Sequence, residues 1–124
     1  MDSVPVVYTL PNIEFVGGGS HTFAFNIFSK RLHSPISVGG ATCNFSIMRF
    51  DSANEILLVN KTVNVPTDAE NRITITLSPS DTINLHGRFI YQITIKDAGG
   101  IVEPPMQGII YIVNNINKSF AVGS

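Results

Sequence analysis

The most regular feature of the chain is an alternation of apolar and polar residues with a period of two. It is clearest in FIYQITIKD, residues 89–97. One face of this run carries the apolar side chains of Phe89, Tyr91, Ile93 and Ile95. Such alternation is typical of strands that pack on a core with one face and meet solvent with the other. The pattern also covers residues 21–28, 41–50, 56–65, 72–77 and 109–114.

Turn-forming segments separate these runs. They are GGGS at 17–20, VGGA at 38–41, DSANE at 51–55, DAEN at 68–71 and DAGG at 97–100. Short strands joined by such turns, without long amphipathic helices, predict an all-β sandwich of seven to eight strands. One helical turn is expected within residues 79–87, with Ser80 as its cap, Asp81 at its positive end and Gly87 at its close.

The stronger apolar face of each strand predicts the core. The side chains that we expect to be mostly buried are Phe23, Phe25, Phe45, Ile47, Ile75, Tyr91 and Ile93. The hydroxyl of Tyr91 then needs a hydrogen-bond partner or a place at the edge of the core.

The first twelve residues, MDSVPVVYTLPN, differ from the alternating part of the chain. They contain one charge, at Asp2, and two prolines, at Pro5 and Pro11. Proline lacks a backbone N–H and favours extended geometry, so the segment suits a sheet edge or a groove better than a central strand. We therefore predict an extended N-terminal arm over residues 1–13, a sandwich over 14–116 and a C-terminal tail over 117–124.

Apolar side chains make the arm a candidate partner-binding segment. Those expected to contact another subunit are Val4, Val6, Val7, Tyr8 and Leu10. Exposed on a monomer, they would form an apolar patch of the kind that soluble monomers avoid. The alternative is that this segment is an ordinary first strand of its own sandwich.

Composition limits the possible partners. The chain has 124 residues, 44% of them hydrophobic, which suits one domain with one core. The formal net charge of −1 argues against nucleic-acid binding, and no apolar run has the length of a membrane span. Charged residues make up 14% of the chain, against about 25% in typical domains. A surface with so few charges predicts that part of it is covered by a protein partner.

The sequence offers little for catalysis or for cofactor binding. His86 lies beside Gly87 without a neighbouring nucleophile or carboxylate, so we interpret it as a loop histidine. His21 and His33 lack metal-ligand spacing, and DSANE is more typical of a turn than of a calcium loop. A strand follows GGGS, which favours a tight turn over a phosphate loop. We therefore predict no enzyme activity, no catalytic or metal-binding residues and no cofactor.

Two long stretches of the chain resemble a known family. FNIFSKRLHSPISVGGATCNFSIMRFDSANEILLVNKTV and NRITITLSPSDTINLHGRFIYQITIKDAGGIVEPPMQGIIYIV are similar to the two halves of the N-terminal domain of tailed-phage baseplate upper proteins. Related immunoglobulin-like (Ig-like) modules occur in head fibres and capsid decoration proteins. The resemblance covers residues 14–116. The positions that match are Gly40, Ala41, Gly87, Phe89, Tyr91 and the hairpin 97–100, all of which are fold positions.

The resemblance implies a single Ig-like antiparallel β-sandwich without an active site, located in the virion. Its partners would be other virion proteins, including further copies of itself. The leading arm and the end of the chain at Ser124 favour a decoration, head or neck component over a baseplate adaptor. A baseplate accessory protein is a further role of the same kind. The alternative function is a surface-binding module that recognises a host glycan or protein through loops at one end of the sandwich.

Overall fold

A computed structural model describes residues 10–29, 34–35, 37–49, 57–103 and 105–122. Most of these residues lie in strands. The elements are β1 (Ile13–Val16), β2 (His21–Asn26), β3 (Phe28–Ser29), β4 (Ser34–Pro35), β5 (Thr42–Arg49), β6 (Leu57–Asn64), β7 (Arg72–Leu77), α1 (Pro79–Thr82), β8 (Gly87–Lys96), β9 (Met106–Val113) and α2 (Lys118–Val122).

Seven of the strands form two facing sheets. A five-stranded sheet has the order β1-β9-β8-β5-β6, and a two-stranded sheet pairs β2 with β7. The chain crosses repeatedly between the two sheets, which is the arrangement of Ig-like sandwiches. The predicted all-β, Ig-like fold is therefore confirmed. The pairing of β1 with β9 is parallel, whereas the other strand pairs are antiparallel, including the two-residue pair β3–β4.

The core lies between the sheets, as the alternation predicts. Six of the seven expected core residues are buried: Phe25, Phe45, Ile47, Ile75, Tyr91 and Ile93. The Phe25 ring from the small sheet lies 6.0 Å from the Tyr91 ring of the large sheet. Phe23 is half-buried, because it packs against the margin of the core beside Phe15 and His21. Its ring lies 5.6 Å from that of Phe15, so the pair covers one open side of the sandwich.

The cysteine of the chain belongs to this core. Cys43 lies on the inner face of β5 and is fully buried. Burial raises the pKa of its thiol to about 11. The thiolate is the reactive form of cysteine, and the raised pKa keeps the Cys43 thiol protonated near neutral pH. We therefore interpret Cys43 as a packing residue.

The predicted helical turn exists, but it begins two residues earlier than expected. Helix α1 follows Ser78 as its N-cap, so the prediction of Ser80 as the cap was wrong. The backbone N–H of Ser78 donates to Asp81 Oδ2 at 2.7 Å, and Lys61 Nζ lies 2.9 Å from the same oxygen. Burial alone would raise the pKa of Asp81, but the bonds from Lys61 and Ser78 outweigh it and lower that pKa. Gly87 does not close the helix; it opens β8 with a φ of 109°.

The GGGS segment is a tight turn, as predicted, and it packs on α1. Its Gly18 has a φ of 86°, and its backbone N–H donates to Thr82 Oγ1 at 2.9 Å. A methyl group on Gly17 would lie 2.6 Å from the carbonyl oxygen of Thr82. The β1–β2 connection and α1 are thus joined by a contact that requires glycine on one side and a buried hydroxyl on the other.

Replacing that hydroxyl should destabilise the fold. Thr82→Val keeps the shape of the side chain but leaves the buried N–H of Gly18 without an acceptor, at a cost of about 1–3 kcal/mol. Thr82→Ser retains the acceptor and loses one methyl group, which costs about 0.8 kcal/mol. Urea unfolding of both variants measures the difference. A valine variant as stable as the serine variant would contradict a role for this hydrogen bond.

Candidate docking surfaces

The structure tests one of the five residues predicted to bind a partner. Leu10 is 8% exposed and belongs to the core of its own chain. Its backbone N–H donates to the carbonyl oxygen of Gln107 at 2.8 Å. The interpretation of Leu10 as a partner-facing residue was therefore wrong. Val4, Val6, Val7 and Tyr8 lie outside the described residues, and the arm interpretation stays a prediction for them.

The residues after Leu10 are also fixed to the sandwich. The Tyr91 hydroxyl donates to the carbonyl oxygen of Pro11, and burial raises the pKa of this tyrosine to about 12. This contact supplies the partner that a buried tyrosine needs. Strand β1 then begins at Ile13, inside the segment predicted to be an arm. The arm can therefore comprise at most residues 1–9.

The two described histidines lie in different surroundings. His86 is exposed in the connection between α1 and β8, as its interpretation as a loop residue predicts. The His21 ring lies 4.3 Å from that of Phe15, and its Nε2 is 3.3 Å from the carbonyl oxygen of Val16. His33 and the DSANE turn lie outside the described residues. Within the described ranges, no three His, Cys, Asp or Glu side chains form a group that could hold a metal ion.

The outer face of the large sheet carries rows of uncharged side chains. Strand pairing defines these rows across β6, β5, β8 and β9. The first row is apolar and contains Leu57, Met48, Ile90 and Ile109. The second contains Asn60, Ser46, Gln92 and Gln107, and the third contains Thr62, Asn44 and Thr94. We call these three rows the neutral face.

Amide side chains of the neutral face are ordered by hydrogen bonds to one another. Asn44 Nδ2 donates to Asn60 Oδ1 at 2.6 Å, and Gln107 Nε2 donates to Gln92 Oε1 at 2.8 Å. Ser46 Oγ donates to Asn44 Oδ1 at 2.6 Å. An amide group that forms one such bond keeps further donor and acceptor capacity. The polar rows therefore present a pre-ordered surface that can both donate and accept.

Charged residues stand at the border of the neutral face. Arg88 and Lys96 lie near the two ends of β8, and Glu14 lies on β1. Among the described residues of the three rows, none is charged. Tyr111 pairs with Arg88 and Glu14 in this border and is 46% exposed, and Val16 beyond it is 50% exposed. Such a patch, apolar and neutral inside a charged border, resembles the interior of a protein interface.

The C-terminal segment, residues 115–122, projects two apolar side chains. Ile116 is 98% exposed and Phe120 is 88% exposed. The segment is nevertheless anchored to the fold, because Asn115 Nδ2 donates to the carbonyl oxygen of Gly17 at 2.8 Å. Asn117 Oδ1 accepts a bond from the backbone N–H of Phe120 at 3.3 Å, which caps α2. Both apolar side chains are thus held away from their own domain.

A cleft of about 470 Å³ lies beside β7, at the connection from β6. We call it the β7 cleft. Its lining combines polar residues with Val63, Val65, Pro66 and Ala69. Glu70 has a left-handed φ of 58°, and its carbonyl oxygen accepts a bond from the N–H of Val38 at 2.7 Å. This bond fixes one wall of the cleft to the turn before β5.

Sequence reasoning identified none of these three surfaces as a site. The signal for the neutral face was present in β5, where the uncharged residues Asn44 and Ser46 alternate with core residues. The low share of charged residues pointed the same way. The exposed side chains of Ile116 and Phe120 left no sequence signal, because apolar residues after a last strand can equally pack on their own core.

Comparisons with known proteins bear on the fold alone. No protein-family model matches the chain, and no curated protein matches its sequence. The chain is similar to a solved structure described as "Structures of Clostridium thermocellum CbhA fibronectin(III)-like modules". The match covers 89% of this chain and 98% of that chain, at 11% sequence identity and a TM-score of 0.40. The assignment to the Ig-like class rests on the strand order of the chain itself. In its described part, no helix has the length and apolar composition to cross a membrane.

Proposed function

We propose that this chain is a non-enzymatic structural component of a phage virion that docks to neighbouring virion proteins through the neutral face. The observation that carries the proposal is the absence of charge from the described residues of its three rows. Lysine, glutamate and aspartate are depleted at the centres of protein interfaces, because their desolvation is costly. The neutral face avoids this cost, and its amide rows can bond to the backbone or side chains of a partner.

The size of the face indicates how strong the docking is. Strands lie about 4.8 Å apart and alternate residues about 6.8 Å apart, so four strands and three rows cover about 20 Å by 20 Å. This is about half of the roughly 800 Å² that each partner contributes to a standard interface. A single contact is therefore expected to be weak, and firm attachment requires extension onto Tyr111 and Val16 or repetition over many copies.

The virion is the setting that the sequence resemblance supports. Residues 14–116 are similar to Ig-like modules of baseplate upper proteins and of capsid decoration proteins. Such modules occur in many copies on one particle, which matches a docking face that is individually small. We assign the chain to the virion surface, as a decoration, head or neck component or a baseplate accessory protein.

Particles purified from a strain that carries the gene provide the test. We expect the chain to co-sediment with intact particles in many copies per particle, detected by quantitative mass spectrometry. The chain should bind no component of a glycan array. Binding to glycans combined with absence from particles would support the alternative function, recognition of a host surface through the loops. Absence from particles would by itself contradict the proposal.

A further inference from the structure

We propose that copies of this chain associate head to tail, with the C-terminal segment of one copy entering the β7 cleft of the next. The inference uses surfaces other than the neutral face and does not depend on it. It rests on three features of the described residues: two projecting apolar side chains, a cleft with apolar lining and the opposite charge of the two surfaces.

The two surfaces lie at different places on the molecule, so a contact between them joins two different patches. The C-terminal segment follows β9, whose last residue Val113 pairs with Val16 of β1. The β7 cleft is lined by Asn26 and Arg72, which pair with each other at one end of β2 and β7. His21 and Leu77 pair at the other end of these two strands. His21 and Leu77 share their end of the sandwich with the Gly17 turn and α1, which contacts α2. The two surfaces therefore lie at opposite ends of the sandwich, about 20–27 Å apart for strands of six to eight residues.

This separation also prevents a chain from filling its own cleft. A segment of one copy can reach only the cleft of another copy, and that second copy then presents its own segment at its far end. Contacts between two different patches of one molecule generate rings or open chains of subunits.

The apolar parts of the two surfaces fit each other. Side chains as exposed as Ile116 and Phe120 favour removal from water, and a phenylalanine can bury about 150–250 Å². The β7 cleft offers the half-buried side chains of Val63 and Ala69 as apolar lining. Its volume of about 470 Å³ lies within the range of about 300–1,000 Å³ that accommodates small ligands, which suffices for two side chains.

The charges of the two surfaces are complementary as well. The cleft is lined by the carboxylates of Asp68 and Glu70 and by one guanidinium, from Arg72, so it carries one net negative charge. Lys118 is the one charged residue of the C-terminal segment. Lys118 is the first residue of α2 and lies between Ile116 and Phe120 in the sequence. Its ammonium group would approach the acidic side of the cleft. Like charges on the two surfaces would have opposed the contact.

Association of this kind should be weak and should depend on concentration, because two side chains bury far less area than a standard interface. Analytical ultracentrifugation of the full chain, from micromolar to millimolar concentration, is the measurement. We expect an average mass that keeps rising with concentration. Phe120→Asp removes the projecting side chain, and Thr74→Lys places a cation at an exposed position in the cleft. Each variant alone should sediment as a monomer.

A mixture of these two variants gives the most specific result. Phe120→Asp retains an intact cleft, and Thr74→Lys retains an intact segment, so the mixture should form one-to-one dimers that grow no further. Ile101→Asp is the matched control, since Ile101 is 65% exposed but lies outside the cleft lining and the C-terminal segment. This variant should associate as the parent chain does. Circular dichroism and thermal unfolding verify that each variant is folded.

Three results would overturn the inference. The first is a parent chain that remains monomeric at millimolar concentration. The second is an association that Phe120→Asp and Thr74→Lys leave unchanged. The third is a mixture of these two variants that forms no dimers. Gln107→Lys, on the neutral face, should leave head-to-tail association intact, so failure of this inference is distinguishable from failure of the proposed function.

Discussion

Phe45→Ala is expected to lower the free energy of unfolding by about 3–5 kcal/mol. Phe45 is fully buried at the middle of β5, where β6 and β8 flank it on either side. Its ring lies 5.7 Å from that of Tyr91. Truncation removes these contacts and leaves a cavity. Because β5 is paired with β6 and β8, it cannot easily shift to fill that cavity. Urea unfolding, followed by circular dichroism, measures the change.

Phe120→Ala is the matched control, because it deletes the same atoms from a side chain that is 88% exposed. Surface substitutions of this kind usually change stability by no more than about 0.5 kcal/mol. The control is measured at a concentration low enough to keep the chain monomeric. Equal losses in the two variants would contradict the placement of Phe45 in the core and the register of β5.

Two N-terminal deletions should differ sharply. Removing residues 1–12 takes away Leu10, whose buried side chain alone accounts for about 2–5 kcal/mol. It also removes the Pro11 carbonyl that accepts the hydrogen bond of Tyr91. Removing residues 1–9 leaves both contacts in place, and the arm interpretation predicts unchanged stability for this shorter deletion. Urea unfolding of the two truncated chains compares them directly.

The outcomes of the deletions separate the interpretations of the N-terminus. If removal of residues 1–9 also costs several kcal/mol, the segment is an ordinary first strand of its own sandwich. If removal of residues 1–12 leaves the free energy of unfolding unchanged, the burial of Leu10 does not stabilise the fold. That result would contradict its placement in the core. A lower affinity for particles after removal of residues 1–9, at unchanged stability, would support the arm.

Alternation predicted the strands because a sandwich buries every second residue. In β8 the apolar face of Phe89, Tyr91, Ile93 and Ile95 is buried along its whole length, as predicted. The helical turn was recognised from its residue types, but its cap was misplaced because SPSD offers two serines. Ser78 is the cap because its N–H reaches the carboxylate of Asp81, three residues later.

Other features depend on contacts between distant residues, which a local pattern does not encode. Leu10 is apolar in either interpretation of the N-terminus, and only its burial against distant residues and its bond to Gln107 place it in the core. The parallel pairing of β1 with β9 joins residues from the two ends of the chain. The neutral face likewise appears only when strand order brings β6, β5, β8 and β9 side by side. Before that order is known, its members are separate polar and apolar positions.

Docking of the neutral face is tested most directly with particles that lack the chain and to which purified chain is added. The double variant Leu57→Lys, Gln107→Lys places two positive charges at exposed positions of the neutral face. Thr22→Lys places one at an exposed position of the small sheet and serves as the control. All three chains should unfold at similar urea concentrations. We predict that the parent and Thr22→Lys co-sediment with particles, whereas the double variant stays in solution. Equal binding of the double variant would contradict docking through the neutral face.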